Sequence, residues 1–308
     1  MKGLKPVREV KVTILMDNYV DVLLPSSEVV KRPPLVKEGS MAPNPVAEHG
    51  LSLLLEVEGE RLIMDFGLSR HGLLYNMEVL GVDPKGILCG VVSHGHHDHL
   101  GALLPFLEEA SRPFPLYLHP DALLPGRFIR LPSGQEVAFP AVDPSQWEAR
   151  GAEVHLVEAP QLLLEGKVLV SGEIPRVTDF EKGLPGAFWR DGRREVRDSI
   201  KDDMSLYLVL EGKGLVVLSG CAHAGIVNSV LYGIELTGVQ EVFMVAGGFH
   251  LTGPGMEEVL PKTLSRLLEF SPRWVCPMHC TGWLGQRRLF EAFGERFVLS
   301  SSGSTLLL

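Results

Sequence analysis

The sequence has little of several features that mark particular classes of protein. It has four cysteines in 308 residues, too few for the disulfide framework of a small secreted domain. Its apolar runs are far shorter than the ~20 residues of a membrane-spanning helix, and its first twenty residues lack the pattern of an export signal. We therefore expect a cytoplasmic protein with no membrane segment.

Basic residues are also fewer than acidic ones. The 29 lysines and arginines and 38 aspartates and glutamates give a formal net charge of −9 at pH 7. Proteins that bind long nucleic acids usually carry a basic excess, so a small-molecule partner is favoured over DNA or RNA. The four asparagines and five glutamines are few, which is typical of a thermophilic source.

The composition, with 45% hydrophobic and 22% charged residues, is that of a globular protein. Short apolar runs rich in leucine and β-branched residues predict strands at 10–16, 51–57, 61–65, 87–92, 116–119, 168–170, 206–210, 215–218, 242–245 and 297–299. Apolar residues at spacings of three and four predict helices at 71–80, 102–111, 226–236, 256–270 and 284–293.

This mixture of hairpins and alternating elements predicts an α/β fold, with two sheets packed face to face and helices on the outer faces. We expect one domain over residues 1–308. Residues 31–48 are rich in proline and predict a loop. Residues 171–204 form a long polar segment with little periodicity, which is typical of a lid-like insertion over a binding site.

The segment His94-Gly95-His96-His97-Asp98-His99 follows a predicted buried strand and precedes a helix. Alternate residues of an extended chain point the same way, so His94 and His96 can share one metal ion. Asp98 and His99, where the chain turns into the helix, can bind a second ion. A surface histidine cluster is the alternative, but so many ligands at usable spacing favour a two-metal centre.

Imidazole nitrogens with a single carboxylate suit Zn²⁺, with Mn²⁺ or Fe²⁺ as alternatives, rather than Ca²⁺. Two such ions lower the pKa of a water molecule and polarise a substrate oxygen. The sequence therefore predicts a metal-dependent hydrolase that acts on an ester, thioester, lactone or phosphodiester bond.

The segment SHGHHDHLGA resembles the HxHxDH signature of the metallo-β-lactamase fold superfamily, whose fold is a four-layer αββα sandwich with metals at one edge. The resemblance implies that Asp65, at the end of a strand with the Asp-x-Gly pattern, supports a metal-binding histidine. His279 resembles the last histidine ligand of the superfamily, which implies that it completes the site of Asp98 and His99. The spacing of Cys276 and Cys280 can indicate a separate zinc site. The sequence has no second Cys or His pair at zinc-finger spacing, which argues against that interpretation.

Three further segments are similar to a subgroup named after dihydropterin-methyl ribofuranosylaminobenzene phosphate synthase. They are EHGLS at 48–52, SGEIPR at 171–176 and SGCAHAG at 219–225. The subgroup name implies a synthase that condenses a pterin with a ribosyl-arylamine phosphate, whereas many of its members are described as metal-dependent hydrolases. A non-catalytic protein that binds metal or ligand is a third alternative.

The sequence departs from the superfamily at the ligand that usually bridges the metals, because Cys221 stands where an aspartate is expected. Either Cys221 binds as a thiolate, or His223, two residues further on, supplies the missing ligand. We favour His223 as the ligand and Cys221 as a small buried neighbour, since an imidazole fits beside His94 and His96.

Three other residues are candidates for roles around the metals. Glu173 is the nearest counterpart of the superfamily's third histidine, and it can act as a ligand, as a general base or as the ion-pair partner of an arginine such as Arg176. His250 follows a strand at a Gly-Gly pair and is a candidate proton donor or a structural histidine. Arg176 is the candidate for binding a phosphorylated substrate, and the alternative is a solvated basic lid that also contains Arg190, Arg193, Arg194 and Arg197.

Overall fold

The structure, a computed structural model, describes residues 2–253 and 255–308. The helices in these residues are α1 (Arg70–Leu80), α2 (His97–Leu100), α3 (Leu103–Glu109), α4 (Pro144–Glu148), α5 (Ile226–Thr237), α6 (Met256–Phe270) and α7 (Gly282–Phe293). The strands up to the middle of the chain are β1 (Val10–Met16), β2 (Val30–Lys31), β3 (Val36–Lys37), β4 (Ser40–Met41), β5 (Ser52–Val57), β6 (Glu60–Met64), β7 (Cys89–Val91), β8 (Phe114–Leu118), β9 (Phe128–Arg130), β10 (Glu136–Ala138) and β11 (Ala152–Leu156). The later strands are β12 (Gln161–Leu163), β13 (Val168–Val170), β14 (Ala187–Asp191), β15 (Arg194–Arg197), β16 (Ser205–Leu210), β17 (Gly214–Ser219), β18 (Val242–Gly248), β19 (Trp274–Met278) and β20 (Thr305–Leu307).

Two large sheets form the centre of the molecule. One has the strand order β11-β8-β7-β6-β5-β1-β20-β2 and the other has the order β12-β13-β16-β17-β18-β19. Apolar side chains from both sheets, such as Leu53, Val91, Leu206 and Met244, pack into a shared core between them. The central strands are buried on both faces, which explains why β17 has a continuous apolar run.

Helices cover the outer faces of both sheets. Leu73 and Phe106, from α1 and α3, pack on the eight-stranded sheet. Val230, Leu267 and Leu289, from α5, α6 and α7, pack on the six-stranded sheet. The α/β prediction of two facing sheets between helical layers, the αββα sandwich, is therefore confirmed. In the part of the chain that the structure describes, every helix is too short or too polar to cross a bilayer.

Two predicted elements differ from the structure. The predicted strand at 297–299 is wrong except for a single bridge between Phe297 and Val275, because Phe297 packs against Phe290 of α7 beside the edge of the sheet. The polar segment at 171–204 is not irregular throughout, since β14 and β15 lie within it. They join β9 and β10 in a separate four-stranded sheet with the order β10-β9-β14-β15.

The direction of the strands decides where the polar residues meet. In the first large sheet β6 and β7 are parallel, and in the second β17, β18 and β19 are parallel. Parallel strands end at the same edge of a sheet, and ligand sites form beyond their carboxyl ends. The loops that follow these five strands contain Asp65, the His94–His99 segment, Cys221, His250 and His279.

Candidate metal centre

The first ligand group combines His94 and His96, from the loop after β7, with His223, from the loop after β17. Nε2 of His94 lies 3.2 Å from Nε2 of His223. The ring centroids of His94 and His96 are 4.4 Å apart, and those of His96 and His223 are 4.8 Å apart. The structure thus brings together the three imidazoles that the sequence assigned to one ion.

The second group combines Asp98 and His99 with His279, from the loop after β19. Nε2 of His279 lies 3.1 Å from Oδ2 of Asp98, and Nε2 of His99 lies 3.9 Å from the same oxygen. Nδ1 of His279 lies 3.0 Å from Oδ1 of Asn18, whose amide nitrogen donates to the carbonyl oxygen of His279. Oδ1 of Asn18 therefore accepts a hydrogen bond from Nδ1–H of His279, and Nε2 of His279 is left facing Asp98.

Asp65 organises one ligand in each group. Its Oδ2 lies 2.7 Å from Nδ1 of His99, and it also accepts a hydrogen bond of 2.7 Å from the Ser93 hydroxyl. The Ser93 hydroxyl oxygen lies 3.0 Å from Nδ1 of His94. Both imidazoles are thus held by their Nδ1 atoms, which leaves their Nε2 atoms free to bind metal.

Cys221 lies between the two groups. Its Sγ lies 3.1 Å from Nε2 of His99. It belongs to one set of ligand atoms with His94 and His223, and to another with His99 and His279, with all atoms of each set within 4.8 Å of one another. Cys221 therefore lies within reach of both groups of candidate ligands.

Burial keeps the first group neutral. Burial and the surrounding imidazoles hold the pKa of His94 and of His223 well below the ordinary value. Burial and the nearby Arg127 lower the pKa of His96 to about 3. Neutral imidazoles present lone pairs, so these three histidines are in the form that binds metal.

The second group combines an ionised carboxylate with a protonated imidazole. Burial alone raises the pKa of Asp98, but the imidazoles of His99 and His279 outweigh it and lower that pKa. Burial lowers the pKa of His99, but Asp65 and Asp98 outweigh it and raise that pKa to about 9. A metal ion that binds Nε2 of His99 must therefore displace the proton on that nitrogen.

Unpartnered atoms provide a test of whether these residues fit metal ions. Nε2 of His96, Nδ1 of His223 and Nε2 of His279 are buried and have no hydrogen-bond partner among the described residues. Buried polar atoms are normally hydrogen-bonded, so a cluster of orphaned nitrogens calls for another partner. Nitrogen, carboxylate oxygen and sulfur within this spacing suit a pair of divalent transition-metal ions such as Zn²⁺.

A buried ion pair holds the metal loop, residues 94–99, in place. Oδ2 of Asp202 accepts hydrogen bonds from the backbone N–H of Gly95 at 2.7 Å and from the Arg127 guanidinium at 2.8 Å. Nε of Arg127 lies 2.8 Å from Oδ2 of Asp198. A Cβ at Gly95 would lie 2.3 Å from the carbonyl oxygen of Ala122, so the loop tolerates no side chain there.

Several of the loops hold backbone conformations that non-glycine residues rarely adopt. The φ angles are +64° at Asp65, +53° at Ala222, +44° at His250 and +49° at His279. Such conformations persist only where the surrounding contacts enforce them, and they concentrate at functional sites. Their position around the ligands is consistent with a site held in one arrangement.

A cavity of about 350 Å³ opens onto the ligands. His96, Asp98, Cys221, His223 and Cys280 lie at its polar end. The apolar part of its wall comes from Leu68, Ile129, Phe139 and Leu184, and the lining is completed by His49, His97, His250 and Thr252. Of these, Ile129 lies on β9 of the small sheet and Leu184 lies in the 171–204 segment, so both of these additions to the sandwich border the cavity.

His250 reaches the site as expected, whereas Glu173 and Arg176 do not line this cavity. The rings of His250 and His223 are 4.4 Å apart. Glu173 is exposed and pairs with Lys201 at 3.9 Å. Arg176 donates to the backbone carbonyl oxygens of Ser199 and Ile200. Their predicted roles stay predictions.

Sequence reasoning missed several residues of the site. Arg127 and Asp202 support the metal loop, Asn18 orients His279, and Phe139 lies against His96 with ring centroids 4.7 Å apart. His49 also lines the cavity, and its Nε2 lies 3.6 Å from Oδ2 of Asp98. The segment EHGLS was the one local signal for His49, since the others depend on distant parts of the chain.

Comparison with known proteins agrees with this geometry. The family model described as the metallo-beta-lactamase superfamily matches residues 46–175. A protein of Methanocaldococcus jannaschii named 7,8-dihydropterin-6-methyl-4-(beta-D-ribofuranosyl)-aminobenzene-5'-phosphate synthase is 30% identical over 273 residues, which cover 84% of this chain and 90% of that protein. An uncharacterized protein of the same organism is also 30% identical, over 84% of this chain and 93% of its own length.

Solved structures show the same fold. A metal-dependent hydrolase of the beta-lactamase superfamily, Tm1679, superposes with a TM-score of 0.72 and 23% identity, and the match covers 96% of this chain and 98% of that one. The metallo-beta-lactamase fold protein YhfI from Bacillus subtilis gives a TM-score of 0.52 and 13% identity, with 98% and 100% covered.

Proposed function

Because this chain belongs to the metallo-β-lactamase superfamily, we propose that it is an enzyme that uses two divalent metal ions to hydrolyse a small molecule. The bond attacked is an ester, thioester, lactone or phosphodiester bond. His94, His96 and His223 hold one ion, and Asp98, His99 and His279 hold the other.

One observation carries this proposal. The Nε2 lone pair of His279 faces Oδ2 of Asp98 at 3.1 Å, while the Nδ1 proton of His279 is engaged by Asn18. These two atoms repel each other unless they share a cation, which is either a proton or a metal ion. Beside this pair, three imidazoles that burial keeps neutral converge, so both halves of the site suit metal ions.

Divalent ions at these positions would supply a water molecule of lowered pKa and would stabilise negative charge on the substrate. The protein's own part is to hold the ligands and to shape the cavity. Asp65 and Ser93 fix two imidazoles, and Asp202 fixes the loop between His94 and His96. His250, beside His223, is placed to give a proton to a leaving group.

We infer Zn²⁺ as the ion, because imidazole, carboxylate and thiol are all ligands that zinc accepts. The four cysteines are free, which fits the reducing cytoplasm that the sequence predicts. The 171–204 segment contributes Leu184 to the cavity, which fits a covering role. The apolar wall favours a substrate with an apolar or aromatic group next to the bond that reacts.

The test is to measure turnover of a phosphodiester, a thioester and a lactone by the zinc-loaded protein. Removal of the metal with a chelator should abolish turnover of whichever compound is hydrolysed, and added Zn²⁺ should restore it. His94→Ala and Asp98→Ala should be inactive, while His71→Ala, an exposed histidine at the start of α1, should retain activity. Equal turnover before and after chelation would reject the proposal.

A second candidate function is that of a synthase. It is supported by the relative named as a dihydropterin-methyl ribofuranosylaminobenzene phosphate synthase, and by the ring of Phe139, which borders the cavity beside His96. A flat aromatic wall suits a pterin or an arylamine. In that reaction the protein would join a pterin to a ribosyl-arylamine phosphate.

Mass spectrometry distinguishes the two functions. The metal-loaded protein is incubated with a ribosyl-arylamine phosphate and a dihydropterin that carries a leaving group on its 6-methyl carbon. A condensation product that depends on the protein and the metal, and that decreases in Phe139→Leu, would support the synthase. Recovery of both compounds unjoined would overturn the synthase, and release of the leaving group as the hydrolysed pterin, without condensation, would support the hydrolase.

A further inference from the structure

A third set of ligand atoms lies next to the two groups described above. It consists of the thiol sulfurs of Cys221 and Cys280 and a ring nitrogen of His250, and these three atoms lie within 4.8 Å of one another. All three residues line the same cavity as Asp98 and His96. Two sulfurs and an imidazole are a ligand combination that zinc uses in enzymes.

The backbone brings the two cysteines together at a glycine. Gly248, at the end of β18, lies between them, and a Cβ there would be 2.8 Å from Sγ of Cys280 and 3.2 Å from Cα of Cys221. The Sγ of Cys280 lies 3.5 Å from the carbonyl oxygen of Cys221. Their proximity therefore depends on the Gly-Gly end of β18, which the sequence singled out for His250 alone.

His250 is the second observation that indicates a ligand. Both of its ring nitrogens are buried and have no hydrogen-bond partner among the described residues. Its loop is fixed, because the adjacent Phe249 N–H donates to the Thr281 hydroxyl at 3.1 Å. A buried imidazole with two unused nitrogens is costly unless an ion or a ligand completes its bonding.

The four cysteines have two kinds of surroundings. Cys221 and Cys280 line the cavity, whose lining contains no lysine or arginine among the described residues. The other two free cysteines, Cys89 and Cys276, are packed in the core between the sheets, away from any ligand set. The two groups of cysteines therefore have different surroundings, and the buried pair in the core provides a natural control.

We propose that Cys221, His250 and Cys280 form a sulfur-containing side of the metal centre that binds a thiophilic divalent ion, with His250 acting as a ligand in place of a proton donor. Each thiol loses its proton to solvent when its sulfur binds the ion, so the charge of the thiolates is balanced by the metal. The inference rests on the proposed metal centre and deepens it, because it predicts a preference for Zn²⁺ or Co²⁺ over Mn²⁺ and Mg²⁺.

The test uses Co²⁺, whose bonds to thiolate sulfur give strong charge-transfer absorption in the near ultraviolet. The metal-free protein, prepared under reducing conditions, is titrated with Co²⁺ and the bound metal is measured in parallel. We expect the charge-transfer band in the wild-type protein and a fall of about one half in Cys280→Ala, which leaves one of two sulfur ligands. Cys276→Ala, the matched control from the core, should keep the full band.

The outcomes separate this inference from the proposed function. Stoichiometric binding of Co²⁺ without a charge-transfer band, or with an equal band in Cys280→Ala, would overturn the sulfur ligation and leave the histidine–carboxylate centre standing. Absence of bound Co²⁺ would overturn both. If Cys280→Ala does not fold, Cys280→Ser tests the same point, because a serine hydroxyl keeps the size of the side chain and gives no such band.

Discussion

The carboxylate of Asp65 lies 2.7 Å from Nδ1 of His99, and both side chains are fully buried. Asp65 also accepts a hydrogen bond of 2.7 Å from the backbone N–H of Ser93. One carboxylate therefore fixes both the chain after β7 and the candidate metal ligand His99. An imidazole held in this way presents its other nitrogen in one orientation and is a stronger ligand.

Asp65→Asn should therefore weaken metal binding. An amide has one acceptor oxygen where the carboxylate has two, and it lacks the negative charge that supports the imidazole. We expect affinity for one of the two ions to fall by about 10- to 100-fold, as measured by competition with a chelator. Asp143→Asn, at the exposed cap of α4, should bind both ions normally. Equal affinities in the two variants would argue against a supporting role for Asp65.

Arg127→Met should destabilise the fold strongly. Arg127 and its partner Asp202 are buried, and removal of the cation leaves a carboxylate without compensation. The free energy of unfolding should fall by about 3–5 kcal/mol in urea titration. Arg70→Met, which removes an exposed ion pair with Glu108, should leave the free energy of unfolding nearly unchanged. A cost for Arg127→Met as small as that of the control would contradict the assignment.

Gly95→Ala tests the close packing behind the metal loop. The new Cβ would lie 2.3 Å from the carbonyl oxygen of Ala122 and 2.7 Å from the Arg127 guanidinium, so the loop must move. We expect a loss of about 1–3 kcal/mol in stability together with weaker metal binding. Gly86→Ala places its Cβ 3.8 Å from its nearest neighbour, the Arg61 side chain, and should leave metal affinity unchanged. Unaltered metal affinity in Gly95→Ala would show that the loop is not held as described.

Glu181 should give the metal-free protein a characteristic pH dependence. Burial at the start of α5 raises the pKa of Glu181 from 4.5 to about 7. Between these values the folded chain binds more protons than the unfolded chain, so the contribution of Glu181 is complete below pH 4.5 and is lost as the pH rises through 7.

The variant Glu181→Gln cannot titrate and isolates this effect. From pH 5 to 7, the free energy of unfolding of the wild-type protein minus that of the variant should fall by up to about 1.4 kcal/mol per pH unit. Burial also raises the pKa of Asp203 to about 7, and Asp203 adds to the raised pKa of Glu181, so the comparison is repeated with Asp203→Asn introduced into both proteins. Parallel pH profiles of the two proteins would refute the shift at Glu181.

The site residues that were predicted from the sequence are mainly those that lie close together along the chain. His94, His96, Asp98 and His99 lie within six residues, and the end of a buried strand positions them together. His223 and His279 also follow strands. Their position at the same edge of a sheet follows from the parallel direction of these strands.

The parts that were not predicted depend on contacts between distant segments. Asp202 reaches Gly95 across 107 residues, and Cys280 reaches Cys221 across 59. Neither pairing leaves a pattern in the local sequence. Glu173 also shows the effect of a distant contact, because it pairs with Lys201 from a later part of the same segment, and its role in the site stays a prediction.

The most direct test of the account is the metal content of the protein purified without chelators and offered Zn²⁺, Mn²⁺ and Fe²⁺. Elemental analysis after gel filtration should find two ions per chain, and one fewer when His94 and His96 are both replaced by alanine. A wild-type protein with no metal in stoichiometric amount would contradict the central claim that these imidazoles and the Asp98 carboxylate form a metal centre.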